Sequence, residues 1–513
     1  MRFPRLRSFL PDWKSAALAA LSAILLILAF PDFEFWFLAW VGLIPLLWAM
    51  DREKDSAARG FVLGWLWGFV FFTGTCWWLT FAPITYAGFP WALAYVLLLC
   101  LTAIVGIFPG IFGLILSILL RRFGNVAILA GPFVWVFTEF LRYWVTGNNW
   151  NAIGYSQAFD SHAMRFAATG GSLLVGFLVV TGSALIAFWW ADPKRYYVIV
   201  VAVFFFGFVS LAGGNGYDPV PLSSSPTAAR IVAIQPNVPM SGLTYEKWQQ
   251  LRQKHVELAE SALATINEKR TANTTVIFPE SPMNFMYEED EEFREFVHGF
   301  AARHDVQVLF NSAEPDGPNN KYFNSAVLVG PGGREIGQYD KIYLVPFGES
   351  VPAPLQSIVP AFVGSFSYGS EFDVLPLGDA KAGVMICFES HFGELGREYV
   401  RNGADLIIEM TNDGYLGPTP VLRQHLANAV FRAVETSRPV LRVTNVGITA
   451  YINERGEILE ASEPYTEGTS VWSAARSDGS QTFYVRYGDW FAWLCSILTI
   501  AALLLSLNSR RRT

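Results

Sequence analysis

Before residue 215 the chain repeats one pattern: an apolar run, a short polar interruption, another apolar run. About 20 apolar residues cross a bilayer as a helix. Such runs fall roughly at 15–31, 35–50, 60–81, 91–120, 124–146, 166–191 and 196–213, and an eighth at 489–507. The second is short and the fourth contains Pro109, which leaves their ends soft. The first two could pass for a signal peptide followed by a core helix, but the recurrence of the pattern argues against cleavage.

From Ala228 the period changes. Arg230 to Gln235, Thr275 to Phe278, Val306 to Phe310, Asn324 to Leu328, Ala382 to Cys387, Asp405 to Met410 and Val440 to Thr444 read as strands. Amphipathic helices are predicted over 245–269, 289–303, 392–402 and 419–437. Strands alternating with helices predict an α/β layered domain.

Composition sharpens the contrast. Charged residues make up 16% of the 513 residues and hydrophobic ones 52%, with a mean hydropathy of +0.32, against about 25% charged in soluble chains. Disorder, a disulfide scaffold and a nucleic-acid binder are excluded by this balance and by four cysteines in so long a chain. Lys and Arg then orient the spans. Arg2, Arg5, Arg7 and Lys14 precede span one. Arg52, Lys54 and Arg59 follow span two, Arg121 and Arg122 follow span four, Lys194 and Arg195 follow span six, and Arg510 to Arg512 end the chain. The alternate loops hold only Arg142 and Arg165. The positive-inside rule therefore predicts eight spans with both termini cytoplasmic. The expected organisation is seven transmembrane helices over 1–213, an external α/β domain over 214–488, and an eighth helix with a basic tail over 489–513. Glu139 and Arg142 stand near the outer end of span five, where they are expected to pair or to meet phospholipid headgroups.

Cys76, Cys100 and Cys495 fall within spans, where a small thiol is ordinary packing, whereas Cys387 is the single cysteine of the external domain. It ends the strand Gly383-Val384-Met385-Ile386 and enters the turn Phe388-Glu389-Ser390-His391. Phe278-Pro279-Glu280-Ser281 closes another strand with a carboxylate, and the segment from Tyr339 to Glu349 carries Lys341 and, eight residues on, Glu349. Taken singly, each is as readily a surface charge or a packed thiol.

Glu, Lys and Cys in that order at strand ends resemble the nitrilase superfamily. Such a domain between seven spans and one more resembles the apolipoprotein N-acyltransferases of the bacterial inner membrane. Asn151 to Gln157, Thr411-Asn412-Asp413-Gly414, Arg423 through His425, Arg432 to Glu435, Arg438-Pro439 and Thr444 to Gly447 fit the same family, while Gly414-Tyr415-Leu416 departs from its common Ala-Trp-Phe. The resemblance implies a membrane α-helical bundle carrying a periplasmic α-β-β-α sandwich. It implies a ping-pong transfer of an acyl chain from a membrane phospholipid, through a thioester, to the N-terminal amine of a diacylglyceryl-cysteine lipoprotein. The partners are then the phospholipid donor, the apolipoprotein acceptor and the bilayer, with no nucleic acid, for a monomer.

In that scheme Cys387 is the nucleophile and Glu280 the base. Lys341 stabilises the oxyanion, with a backbone N–H just after Cys387, and its charge lowers the thiol pKa. Glu349 orients Lys341, and Phe388 and Glu389 support the nucleophile. His391, four residues beyond Cys387, is an alternative base that the family pattern does not use, and His425 is expected to be structural. No cofactor is expected, because no group has metal-ligand spacing and no glycine-rich loop opens a helix. Residues 351–368, including Phe362 and Phe366, carry no charge and are expected to form a lid touching lipid. Two other readings stay open: a membrane-tethered amidase that passes the thioester to water, and a receptor or transporter whose external domain only binds. The scarcity of ionisable residues within the spans weighs against transport.

Overall fold

The computed structural model describes residues 9–159, 161–214, 227–266, 273–280, 283, 285–351 and 366–508. Two compact units emerge. One is helical and takes in the chain up to residue 214, Thr419–Ala427 and the C-terminal segment; the other holds the remainder.

The helical unit follows the apolar runs closely. Its helices are Trp13–Ala29, Ile44–Arg52, Ala57–Thr75, Trp91–Val105, Ile107–Phe123, Gly131–Thr146, Ala167–Ala191, Tyr197–Gly214 and Trp490–Asn508. Among the described residues, Ala57–Thr75, Trp91–Thr146, Ala167–Ala191 and Trp490–Leu507 are long and apolar enough to cross a membrane, and Trp13–Ala29 and Tyr197–Gly213 are shorter apolar helices. The second expected span is broken into a 3-10 turn at Trp36–Leu38, a helical turn at Ala39–Gly42 and the helix Ile44–Arg52. The fourth divides at Gly106 rather than at Pro109. Pro109 lies in the first turn of the next helix, where a missing N–H costs nothing.

Packing in this unit relies on small residues. Gly60, Gly64 and Gly68 line one stripe of Ala57–Thr75; a Cβ on Gly64 would fall 2.0 Å from the Pro109 carbonyl oxygen. Close backbone approach of this kind drives helix association where lipid removes the hydrophobic force. Glu139 and Arg142 are both buried, and the partners they take are in the following loop rather than in solvent. Glu139 accepts from the Ile153 N–H at 2.8 Å, and Arg142 donates to the Trp150 carbonyl at 2.9 Å and to Asn149 Oδ1 at 2.8 Å. They shape the connection before Ala167, and headgroup contact is not what their burial suggests. Arg423 forms a two-pronged ion pair with Glu34 (2.7 and 2.9 Å), and Gln424 Oε1 accepts from Trp78, Trp150 and Asn151.

The second unit is built on two sheets. The first runs β13 (Gly468–Ala474), β1 (Ala229–Gln235), β2 (Thr274–Ile277), β3 (Gln307–Asp316), β4 (Lys321–Val329), β5 (Glu335–Asp340), with β6 (Phe366–Ser367) against β4. The second runs β12 (Ile458–Ala461), β11 (Ala450–Ile452), β10 (Val440–Thr444), β9 (Leu406–Thr411), β8 (Ala380–Ile386), β7 (Val374–Leu377). The central strands pair in parallel in each, β1 with β2 and β2 with β3, β8 with β9 and β9 with β10. Helices Tyr245–Ala264 and Glu291–His304 bury Leu251, Val256, Phe293, Val297 and Phe300 against Val232, Val276, Val308 and Phe310 of the first sheet. On the second sheet, Tyr399 of helix Gly393–Arg401 packs over Gly383, where a Cβ would come within 2.3 Å of the ring. The sheets meet through pairs such as Gln235 with Thr444 and Gly337 with Leu375. This is the α-β-β-α sandwich that the resemblance implies, and the alternation predicts its α/β layering.

Candidate active site

Parallel strands end together, so the segments leaving their C-terminal ends converge. β2 leads through Phe278-Pro279 to Glu280, β5 leads directly to Lys341, β8 leads to Cys387, and β9 leads to Asn412 and Asp413. The three residues expected to do chemistry thus come from both sheets and lie at their shared end.

Lys341 is wholly buried. Its Nζ donates to Glu349 Oε1 at 2.8 Å and stands 3.9 Å from Glu280 Oε1. Asn324, on β4, ties the two carboxylates together: its Nδ2 donates to Glu349 at 2.7 Å and to Glu280 at 3.2 Å. Its carbonyl also receives the Lys341 N–H at 2.9 Å. The other oxygen of Glu280 accepts from the Asn412 N–H at 3.1 Å, and that of Glu349 from the Val345 N–H at 2.8 Å. One ammonium among two carboxylates keeps its proton. Burial alone would lower the Lys341 pKa, but Glu349 and Glu280 outweigh it and hold it above the usual lysine value.

Burial raises the Glu280 pKa; the Lys341 charge opposes this and Glu349 adds to it. Cys387 behaves differently from the sequence expectation. Burial pushes its thiol well above the ordinary value, the Glu280 charge pushes further, and Lys341 pulls back without prevailing. The resting thiol is therefore protonated at neutral pH, and it needs a base rather than a standing thiolate. Cys387 also sits in the left-handed backbone region at φ 53°. That sharp corner carries the chain from strand into the turn Cys387–His391.

Glu389 acts as a fastener. It is fully buried, and its Oε1 accepts from Tyr339 Oη (2.8 Å), the Ile342 N–H (2.7 Å) and the Tyr343 N–H (3.0 Å). Its Oε2 accepts from the Ile386 N–H at 2.9 Å. Burial raises its pKa to about 7, against the pull of Lys341 and of these donors. One side chain thus binds the lysine segment to the strand that leads to Cys387. Phe388 stacks with His391 and meets Phe392 edge-on, and His391 is buried in that aromatic group. His425 is buried beside Trp150 in the helical unit. Phe366 is half-buried in β6, and its N–H donates to the Glu349 carbonyl at 3.0 Å, so the end of the apolar segment is strand rather than loop. Phe362 lies outside the described residues.

Asn324 and Asn412 were not singled out as site residues in the sequence. The available signal was an asparagine at the mouth of a strand otherwise made of Ser, Ala, Val and Leu, and a second one just past Thr411. Among the described residues no group of three His, Cys, Asp or Glu could hold a metal ion.

Residues 22–185 match the family described as Apolipoprotein N-acyltransferase N-terminal domain, and residues 229–482 match Carbon-nitrogen hydrolase. An apolipoprotein N-acyltransferase of Geobacter metallireducens is 31% identical, over 100% of this chain and 99% of its own. One from Thermotoga maritima is 30% identical over 96% of this chain and 94% of its own. Of solved structures, a carbon-nitrogen hydrolase from Helicobacter pylori G27 is similar at 18% identity and a TM-score of 0.39, covering 50% of this chain and 91% of that one. With identity at this level along its full length, the chain belongs to the apolipoprotein N-acyltransferase family.

Proposed function

We propose that Cys387, Glu280 and Lys341 transfer an acyl chain from a membrane phospholipid to the N-terminal amine of a diacylglyceryl-cysteine lipoprotein. The observation that carries this is the convergence of a half-buried, protonated thiol with a carboxylate of raised pKa and a lysine held charged between two carboxylates.

Glu280 takes the thiol proton as Sγ attacks the ester carbonyl of the phospholipid. The oxygen of the tetrahedral intermediate carries the negative charge and is met by Lys341 and by the backbone N–H after Cys387. Collapse breaks the ester C–O bond, and the lysophospholipid oxygen leaves with the proton from Glu280. The thioester then meets the lipoprotein amine. Nitrogen bonds to the acyl carbon, Glu280 takes an amine proton, the C–S bond breaks, and Sγ recovers the proton. The raised pKa of Glu280 makes it a stronger base toward the thiol than a free carboxylate, which works against the raised pKa of the thiol itself. Glu349 and Asn324 hold Lys341 and Glu280 at fixed separation, while Glu389 and Phe388 fix the turn.

The substrate pair supports a membrane setting, as do the apolar helices. The alternation of basic loops favours both termini in the cytoplasm and 214–488 in the periplasm, for a monomer of eight spans in the inner membrane.

The test is intact-protein mass after mixing with phospholipid. An acyl increment mapped to Cys387, then passed to a diacylglyceryl-cysteine peptide, is the expected result. An increment lost to water at the same rate with or without the peptide would identify a hydrolase instead.

A further expectation concerns lipid entry. Charge placed among acyl chains is costly, so Phe366→Asp should slow acylation by bilayer phospholipid by about tenfold or more. Alkylation of Cys387 by iodoacetamide should change far less. Equal losses in both rates would make Phe366 a folding element, and no loss in either would remove it from the lipid path.

A further inference from the structure

Below the nucleophile lies a polar group that the transfer scheme leaves unused. β8 pairs in parallel with β9, with Ile386 opposite Met410, so the next step along both strands sets Cys387 beside Thr411. Thr411 is completely buried, and its hydroxyl lies near enough to the Cys387 side chain to act on the thiol, lowering its pKa against the rise from burial. The same hydroxyl lies 3.4 Å from Asp413 Oδ1, a long contact for an O–H donor. Asp413 does not depend on it, because Arg442 Nη2 donates to Asp413 Oδ2 at 2.7 Å. Arg442 is itself fully buried, paired also with Glu409 on β9, and its Nε donates to the Ile448 carbonyl.

We propose that the Thr411 hydroxyl is the donor that receives the charge of the Cys387 sulfur, turning from Asp413 to Sγ as the thiol proton leaves. This rests on Cys387 being the nucleophile. A threonine hydroxyl has one proton and can rotate it between two acceptors. With the thiol protonated, that proton points to Asp413; with the sulfur negative, it points to sulfur, and Arg442 still donates to the carboxylate. No proton leaves Thr411. The arrangement also explains why a carboxylate is tolerated so near a nucleophile that must become an anion, since Arg442 offsets its charge. The other charged groups around the thiol are Glu280 beyond β2 and Lys341 beyond β5, while Glu389 in the following turn is occupied by the 339–343 segment. Neither Glu280 nor Glu389 can donate to sulfur when ionised, so Thr411 is the neutral donor on the side opposite Lys341's sheet.

The measurement is the pH dependence of iodoacetamide alkylation of Cys387 in the purified full chain, read as the mass of the Cys387 peptide after brief exposures. Thr411→Val keeps the branched shape in β9 and removes the donor. Hydrogen bonds to charged groups are strong enough that its loss should raise the midpoint by about one pH unit, with about tenfold slower alkylation below it. Thr411→Ser keeps the hydroxyl and should return the midpoint to that of the parent. A role in packing alone would leave the Thr411→Val midpoint unmoved, or would shift Thr411→Ser equally, and either result overturns the proposal. Alkylation reports the thiol whether or not an acyl chain is transferred. Failure of the transfer reading therefore appears in the acyl-adduct measurement, and failure of this one in the alkylation midpoint.

Discussion

Cys387→Ala should form no acyl adduct when mixed with phospholipid, and Cys387→Ser should fall by at least about 10⁴-fold, the scale on which removal of a catalytic nucleophile is felt. The serine variant is the more telling of the two. Its oxygen occupies nearly the place of sulfur, but a hydroxyl in the same buried surroundings is much harder to ionise than a thiol that burial already holds protonated. Both variants should enter the membrane fraction normally, because the groups that hold the turn, chiefly Glu389 with its four donors, do not involve the sulfur. Turnover close to that of the parent in purified Cys387→Ala would end the covalent scheme, and single-turnover mass measurement reads it directly.

The second large effect separates Glu280 from Lys341. Single-turnover acylation should rise with pH as Glu280 gives up its own proton, through a range displaced above that of a free carboxylate by burial. Glu280→Gln should erase that limb and leave acylation barely measurable, because the amide can accept no proton. Lys341→Ala should keep the limb but lose about 100–1,000-fold, as one electrostatic donor to the oxyanion is removed. Lys341→Arg should recover little, since a planar guanidinium does not fit a point made for an ammonium wedged between Glu349 and Glu280. Stability should follow a different order. Removing Lys341 strands two carboxylates in a buried site, a loss of about 3–5 kcal/mol for a broken buried pair, whereas Lys341→Met combined with Glu349→Gln should regain part of that stability with no gain in rate. Unchanged acylation in Glu280→Gln would require another base.

Most of the membrane helices were legible because about twenty apolar residues in succession have few alternatives in water, although the second run is broken into short pieces and the fourth is divided. What pattern could not show was where backbone breaks fall. Gly106 divides the fourth run although Pro109 is the stronger local signal, and Gly170 with Gly171 departs from helical geometry inside Ala167–Ala191. In the α/β unit, β1 to β4 and β8 to β10 were visible as buried apolar runs. β5, β12 and β13 were not, because each leaves much of one face exposed and carries polar residues there. The residues proposed to bear the chemistry stood out by type and order at strand ends. Their supports did not: Asn324 lies far along the chain from both Glu280 and Glu349, and Tyr339 reaches Glu389 fifty residues on. The lowering of the thiol pKa by Lys341 was legible, but the net balance at the thiol was not. Sequence supplies the sign of a neighbouring lysine but not the depth of burial that outweighs it.

The left-handed corner at Cys387 means that chemistry and folding want different residues at one position. For a residue with a Cβ that conformation costs about 1–2 kcal/mol, and glycine alone adopts it without penalty. Proteins tolerate such strain where activity requires it. An alanine there inherits the strained corner without the reactivity that justified it, while Cys387→Gly sheds the strain and gives up only a small side chain. The dead enzyme with glycine should therefore melt no lower than the dead enzyme with alanine, despite burying less. Were selection for transfer relaxed, drift at this position would meet no folding barrier, and the sulfur proposed as nucleophile would be among the easiest parts of the domain to lose.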